Sequence, residues 1–172
     1  MQATIDKPAI EYLDGRPCRK MSPKASHAFV QGAFVRLLYR LGSGLGKCLP
    51  ELHCRVGAVD SSESVLVPDV SFLTNERWNA LSPQDRQEPP CAPDVVVEIR
   101  SPHENAELRR RKVARYLNTG AALVLDVDPA ARSIDVHDAT GVRTLHSDDA
   151  FSDARFPWLA FDVAEVFADL DD

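Results

Sequence analysis

The chain has 172 residues, of which 44% are hydrophobic and 27% charged, and its formal net charge at pH 7 is −6. This length fits a single domain over residues 1–172. No apolar run approaches the ~20 residues of a membrane span, so we expect no membrane partner. The excess of acidic residues argues against nucleic-acid coating driven by overall charge, because phosphate contacts come from Lys and Arg.

The opening stretch "MQATIDKPAIEYLDG" has no apolar core behind basic residues, so we expect no secretory signal. The four cysteines fall at irregular spacings and form no Cys-x-x-Cys pair. This pattern argues against a zinc knuckle or a disulfide framework. We therefore predict a cytoplasmic protein with reduced cysteines.

The first half of the chain predicts one long helix followed by short strands. Apolar residues recur at helical spacing from about Ser26 to Leu41, and Gly42 ends the pattern. Strand-like segments follow over residues 52–59 and 65–73, separated by the turn-like stretch "DSSES".

The second half predicts a strand, a capped helix and a further strand. Apolar residues dominate a strand over residues 95–100. Ser101, Pro102 and Glu104 then have the pattern of a capping box at the start of a helix that runs to about Asn118.

Two more strands, over residues 122–129 and 132–138, and a closing helix over residues 161–170 complete the prediction. The strand, helix, strand passage is typical of a βαβ unit, whereas the earlier segments indicate antiparallel pairing. We expect an α+β (mixed α/β) fold with a central mixed sheet flanked by helices.

Charged residues interrupt the apolar strand "DVVVEIR". Side chains alternate along a strand, so Asp94, Glu98 and Arg100 share one predominantly polar face, while the opposite face is core. Asp94 and Glu98 lie about 13 Å apart at ~3.3 Å per residue, too far to ligate one metal ion. Glu98 therefore needs a partner elsewhere, and Asp94 is either a turn cap or a support for the site.

Asp69 in "LVPDVSFL" is the predicted partner. It lies in another apolar strand, and an adjacent strand would bring it close to Glu98, since paired strands lie ~4.8 Å apart. A pair of carboxylates suits Mg²⁺ or Mn²⁺, which retain waters and accept phosphate oxygens. The pattern is typical of a phosphodiesterase site.

Lys112 is the third predicted component. It lies four residues from both Leu108 and Tyr116, at the edge of the helix face that should meet the sheet. Its ammonium could reach Glu98, hold the attacking water and stabilise charge on the reacting phosphate. Arg109 projects to a similar side and could bind phosphate.

These stretches together resemble a known family. The segments "VPDVSFL", "APDVVVEIRSP", "ELRRRKVARYLNTG" and "LVLDVDPAARSIDVHD" are similar to the restriction endonuclease family called Uma-two, a branch of the PD-(D/E)xK nuclease superfamily. The resemblance covers nearly the whole chain. It implies a restriction-endonuclease-like core, DNA as the substrate, and Mg²⁺ or Mn²⁺ held by Asp69 and Glu98.

The resemblance also implies roles for basic residues. The superfamily pattern places lysine two residues after Glu98, where this chain has Arg100, which can hold a phosphate but cannot serve as a titrating base. In this family the lysine role maps to Lys112. His27 matches a family histidine near the start of the first helix, and with Arg100 and Arg109 it completes the predicted substrate-binding set.

Two other functions stay open at this stage. The chain could be a catalytically silent DNA-binding or assembly module, which would bind DNA without metal and lose affinity steeply as salt rises. It could also be a small-phosphoester hydrolase. A homodimer would suit double-strand cutting because two antiparallel strands need sites related by a two-fold axis, although no residue pattern requires one.

Overall fold

The computed structural model describes residues 10–20, 24–57, 64–102 and 104–171. The strands are β1 (Ile10–Leu13), β2 (Arg16–Arg19), β3 (Gly46–Pro50), β4 (Cys54–Arg55), β5 (Val65–Leu66), β6 (Val70–Thr74), β7 (Val95–Ile99), β8 (Leu123–Asp128), β9 (Ser133–Asp138), β10 (Gly141–His146), β11 (Ala150–Phe151) and β12 (Phe161–Asp162). The helices are α1 (Ala25–Leu41), α2 (Asn75–Ala80), α3 (Ala106–Asn118) and a 3-10 helix (Val163–Leu170).

A six-stranded mixed sheet forms the centre of the fold, in the order β10-β9-β8-β7-β6-β3. Strands β7 and β8 run parallel, and the other neighbours in this sheet are antiparallel. Helix α3 connects the parallel pair, which is the crossover that parallel strands require. The predicted mixed sheet with flanking helices is therefore confirmed.

A smaller sheet, in the order β2-β1-β5-β4, lies beside the central one. Its outer hairpin joins β1 to β2 through Asp14 and Gly15, which both have positive φ. Such backbone angles are what a two-residue hairpin turn of type I′ requires, and Asp-Gly is among its preferred sequences. This hairpin carries residues that prove important for the site described below.

Both faces of β7 are packed, so its mostly polar face is buried as well as its apolar one. Val95, Val97 and Ile99 belong to the larger hydrophobic cluster, which α1 and the 3-10 helix cover. Val96, on the opposite face, packs in a second cluster with Tyr116 of α3. The charged residues of this face are therefore enclosed in protein, where an unpaired charge is costly.

The start of α3 also differs from the prediction. The helix begins at Ala106 rather than after Ser101, because the Asn105 side chain caps it by accepting hydrogen bonds from the backbone N–H groups of Glu107 and Leu108. The predicted capping pair survives only as a local turn, in which the Ser101 N–H donates to the Glu104 carboxylate over 3.4 Å.

The other helices and strands lie closer to their predicted bounds. Helix α1 runs over Ala25–Leu41, close to its prediction, and Gly42 is its C-cap. The segment 65–73 contains two strands, β5 and β6, rather than one. The closing helix is of the 3-10 type. Among the described residues, none of the helices combines the length and apolar character needed to cross a membrane.

Candidate functional site

Four carboxylates form a row across the centre of the main sheet. Strand register pairs Val70 with Val97, which sets Asp69 beside Glu98 at the end of β6. The same register pairs Glu98 with Asp126 on β8, and Asp126 with Asp135 on β9. The predicted proximity of Asp69 and Glu98 is therefore present, and the row extends two strands further than the sequence indicated.

Asp69 and Glu98 are both deeply buried, at 1% and 7% exposure. The backbone N–H of Ile99, the residue after Glu98, donates a 2.7 Å hydrogen bond to Asp69 Oδ2. This bond links β6 to β7 and fixes the orientation of the Asp69 carboxylate. Such burial of acidic groups requires compensating cations or donors.

Lys112 supplies part of that compensation from α3. Its Nζ lies 3.0 Å from Glu98 Oε2 and 3.0 Å from Glu11 Oε2, and the residue is 5% exposed. One helical turn later, the Tyr116 hydroxyl donates a 2.7 Å hydrogen bond to Glu98 Oε1. The predicted approach of Lys112 to Glu98 is thus present, and Tyr116 fixes the other carboxylate oxygen.

Glu11 belongs to the site although the sequence analysis did not select it. Its side chain is 3% exposed, and Oε1 accepts a hydrogen bond from the Val67 N–H over 2.9 Å. In β1, Glu11 and Leu13 face inward, while the apolar Ile10 and Tyr12 are exposed. The alternation of side chains along β1 thus buries Glu11, whereas hydrophobicity alone would predict Ile10 and Tyr12 on the buried face. The Asp-Gly turn signal would have found the hairpin but not this choice of face.

Lys20 and His27 surround Asp69. Lys20 Nζ lies 2.7 Å from Asp69 Oδ1, and it also donates to the Val67 carbonyl over 2.7 Å and to Glu51 Oε2 over 3.2 Å. His27 Nε2 lies 3.2 Å from Asp69 Oδ2. The sequence analysis assigned His27 to substrate and did not select Lys20, which follows the strand β2 and has no local signature.

We call Glu11, Asp69, Glu98, Lys20 and Lys112 the acid–lysine cluster. It offers carboxylate oxygens on three strand segments, which is the donor chemistry that Mg²⁺ and Mn²⁺ prefer. Asp69 Oδ1 is buried and accepts no hydrogen bond of good geometry from the described residues, despite the nearby Lys20 ammonium. An oxygen of this kind fits a metal ligand.

Burial and charge act in opposite directions on these groups. Burial raises the pKa of Glu98 from 4.5 to about 7, and outweighs the Lys112 ammonium, which acts to lower it. Burial also acts to raise the pKa of Asp69, but the contacts with His27 and Lys20 outweigh it and hold that pKa well below its ordinary value. For Lys112, burial acts to lower the pKa, and the Glu98 and Glu11 carboxylates outweigh it and raise it.

Arg100 and Arg109, predicted to bind substrate, are paired with carboxylates. Arg100 donates to both oxygens of Asp126 over 2.9 Å, and also contacts Asp128 and Asp135. Arg109 Nε lies 3.1 Å from Asp126 Oδ2. We call these five residues the arginine–aspartate cluster. Phosphate binding by either arginine stays a prediction, and it would require exchange of these ion pairs.

A second group of metal-ligand types shares two carboxylates with the arginine–aspartate cluster and adds His137. Ligand atoms of Asp126, Asp135 and His137 all lie within 4.8 Å of one another. Two guanidinium groups already occupy the Asp126 carboxylate, however. The carboxylates of the acid–lysine cluster fit a metal better, because Asp69 Oδ1 lacks a well-aligned donor, whereas in the second group the buried atom without a hydrogen-bond partner is His137 Nε2.

Asp94 has a structural environment. Its Oδ2 accepts from the Thr74 N–H over 2.8 Å, and its Oδ1 accepts from Arg77 over 3.1 Å. Both oxygens thus help to hold the start of α2 against β7. These contacts differ from the turn cap that the sequence offered, because the donors lie at the end of β6 and in α2 rather than in a turn next to Asp94.

Comparison with solved structures shows which fold this chain shares. The fold is similar to that in the crystal structure of a putative nuclease belonging to DUF820 from Anabaena variabilis ATCC 29413, with a TM-score of 0.82. The match covers 94% of this chain and 90% of that one, at 21% sequence identity. The two chains share a fold.

Comparison with protein families gives the family. Residues 2–164 match the model of the family Uma2, described as "Putative restriction endonuclease". The match spans most of the chain, which therefore belongs to this family. Membership confirms the resemblance read from the sequence and supports a nuclease. No curated protein was found to match.

Proposed function

We propose that this protein is a divalent-metal-dependent endonuclease that hydrolyses DNA phosphodiester bonds. The observation that carries the proposal is the juxtaposition of Asp69 and Glu98 on neighbouring strands, both buried, with the Lys112 ammonium 3.0 Å from Glu98. Buried acids and a lysine at one point of a sheet are costly for stability and are typical of functional sites.

In this proposal Asp69 and Glu98 hold Mg²⁺ or Mn²⁺, and Glu11 lies close enough to Lys112 to take part. When bound, the metal supplies Lewis-acid stabilisation of the phosphate and lowers the pKa of a water. Lys112, fixed between two carboxylates, orients the attacking water and offsets negative charge that develops on the phosphate. Superfamily chemistry would leave a 5′-phosphate and a 3′-hydroxyl.

Arg100, Arg109 and His27 are the proposed substrate contacts. Arg100 and Arg109 line a surface pocket with Ser26 and Ser101, close to the start of α1. A phosphate there would compete with Asp126 for the two guanidinium groups, whose planar forks suit either partner. His27 contacts Asp69 and would reach substrate only at the edge of the metal site.

Cleavage of supercoiled plasmid and end-labelled single-stranded DNA, with Mg²⁺, Mn²⁺ or EDTA, tests the proposal. We expect metal-dependent nicking by the wild type, and its loss in Asp69→Asn and Glu98→Gln. Asp94→Asn is the matched control, because Asp94 directly precedes the strand that carries Glu98 but contacts Arg77 and Thr74. Equal activity in wild type and in the two site variants would contradict the proposal.

Other outcomes of the same test identify the alternatives. DNA binding without turnover, unaffected by EDTA, would indicate a silent binding module. The arginine run of α3 has little unpaired charge to support that function, because Arg111 and Arg115 both contact Asp14 and Arg110 contacts Glu107. Turnover of bis-p-nitrophenyl phosphate without cleavage of either DNA would indicate a small-phosphoester hydrolase.

The proposal also includes a single domain over residues 1–172, a cytoplasmic location and, for cutting of both strands, a homodimer. Sedimentation equilibrium with and without duplex DNA measures the last of these. A two-fold dimer on DNA would place two acid–lysine clusters on opposite strands.

A further inference from the structure

We infer that Lys20 is an internal counter-ion that must leave Asp69 before a divalent metal can bind. The inference rests on the proposed metal site and adds a residue that controls its occupancy. In the structure the Lys20 ammonium lies 2.7 Å from Asp69 Oδ1. Lys20 thus stands beside the oxygen that the metal needs.

The two oxygens of Asp69 are not equivalent. Oδ2 accepts the backbone N–H of Ile99 over 2.7 Å and has His27 Nε2 at 3.2 Å, so its lone pairs are engaged by groups that the fold fixes. Among the described residues, Oδ1 has the Lys20 ammonium as its close polar neighbour and accepts no well-aligned hydrogen bond. A metal ligated by Asp69 would therefore use Oδ1.

An ammonium and a divalent ion cannot share this buried position without strong repulsion. A magnesium ion lies about 2.1 Å from its carboxylate ligand, so both cations would crowd one oxygen in a poorly solvated site. With its carboxylates ionised, the acid–lysine cluster keeps two negative charges once Lys20 is removed and Lys112 is retained. That charge matches one divalent ion.

Lys20 has a second anchor that would hold it after displacement. Its Nζ also contacts Glu51, whose side chain is 48% exposed, and Glu51 in turn accepts from Gln31. Lys112 has no comparable exit, because its side chain is 6% exposed and lies between two buried carboxylates. The two lysines therefore have different roles. Lys112 stays in the site, and Lys20 is displaced when the metal binds.

The first measurement is Mn²⁺ affinity by calorimetry, with Lys20→Met, Lys20→Arg and Lys47→Met. Removing the competing charge should tighten Mn²⁺ binding by Lys20→Met at least about tenfold, whereas Lys20→Arg, which keeps the charge, should bind like the wild type. Lys47 is exposed on β3 and provides the same change of charge away from the site. Circular dichroism establishes that each variant is folded.

The second measurement uses unmodified protein. Amine acetylation followed by peptide mass spectrometry reports the reactivity of each lysine with and without Mn²⁺. We expect Mn²⁺ to raise the labelling rate of Lys20 several-fold and to leave that of Lys47 unchanged. The rise should be absent in Asp69→Asn, which removes the proposed ligand. A purely structural Lys20 would show no such response to metal.

The outcomes separate this inference from the proposed function. If Mn²⁺ binds and requires Asp69, but neither the Lys20→Met affinity nor the Lys20 labelling changes, the inference is wrong and the metal site stands. If neither the wild type nor Lys20→Met binds Mn²⁺, both the inference and the metal site are wrong.

Discussion

The acid–lysine cluster and the arginine–aspartate cluster begin from neighbouring carboxylates, since Glu98 and Asp126 are paired in register on β7 and β8. Lysines compensate the first, each through a single ammonium that meets several oxygens. Arginines compensate the second, and Arg100 engages both oxygens of Asp126 at once. Two neighbouring carboxylates therefore have different cationic partners: Glu98 contacts a lysine ammonium, and Asp126 contacts arginine guanidinium groups.

The two clusters differ in how readily a metal ion could replace a side-chain cation. A guanidinium fork satisfies a carboxylate in direction as well as charge, so the arginine–aspartate cluster is a well-ordered ion network. An ammonium is a point charge, and it leaves Asp69 Oδ1 without an aligned donor. Charge pairing alone therefore does not distinguish a structural cluster from a metal site, whereas the hydrogen-bond geometry at each carboxylate oxygen separates Asp69 from Asp126.

The largest expected effect is on catalysis at the acid–lysine cluster. Replacing Lys112 by Met should lower the DNA cleavage rate by about 10²- to 10⁴-fold, because a positioned cation near the reacting phosphate is lost. Single-turnover cleavage at saturating Mn²⁺ measures it. Arg110→Met is the control, since Arg110 lies on the same helix but is exposed and contacts only Glu107 among the described residues. Comparable losses in both variants would contradict the role of Lys112.

The next effect is on stability at the arginine–aspartate cluster. Asp126→Asn should lower the free energy of unfolding by about 3–5 kcal/mol, because it leaves Arg100 and Arg109 partly buried without their shared carboxylate. Urea denaturation measures the loss.

Asp171→Asn, which breaks an exposed pair with Arg132, should leave the urea midpoint unchanged. In a filter-binding assay, Asp126→Asn should also bind DNA more tightly, because Arg100 and Arg109 each lose one carboxylate that competes with phosphate. Unchanged stability in Asp126→Asn would show that the arginine network contributes little.

An effect of intermediate size concerns pH. A metal ligates the ionised form of Glu98, whose pKa burial raises to about 7, so Mn²⁺ affinity should fall about tenfold per pH unit below that value. The effect of Glu98 on the stability of the fold has the opposite pH dependence. Because its pKa is raised, Glu98 favours the folded state while it is protonated, and this contribution is lost as pH rises through about 7. Calorimetry between pH 5.5 and 8.5 measures the affinity, and a flat profile would contradict the assignment of Glu98.

The smallest effect concerns Tyr116. Its hydroxyl donates to Glu98, so Tyr116→Phe should cost about 1–2 kcal/mol of stability and move the pH profile of Mn²⁺ binding upward. Lys112 should remain on the second oxygen of Glu98, so Mn²⁺ binding persists. A pH profile that moves downward would contradict this description.

Much of the fold was predictable because its signals are local. The apolar run of β7, the periodicity of α1 and the strand, helix, strand passage each follow from neighbouring residues. The start of α3 was misplaced because two overlapping caps compete, and Asn105 outcompetes Ser101. Local patterns do not resolve such competition.

The site was predictable only where strand alternation brings residues together. Asp69 and Glu98 were selected as acids inside apolar strands, and Asp126 carries the same signal, which the sequence analysis did not use. Glu11 and Lys20 reach the site from a hairpin that belongs to a separate sheet. Their position depends on the packing of that sheet against β6 and α3, which no local pattern encodes.

The most direct test of the central claim is the position of Mn²⁺ in a crystal of the wild-type protein, located by anomalous diffraction. We expect a peak within coordination distance of Asp69 Oδ1 and the Glu98 carboxylate, with the Lys20 ammonium moved away from Asp69. A peak at Asp126, Asp135 and His137, with none at Asp69, would contradict the assignment of the acid–lysine cluster as the metal site.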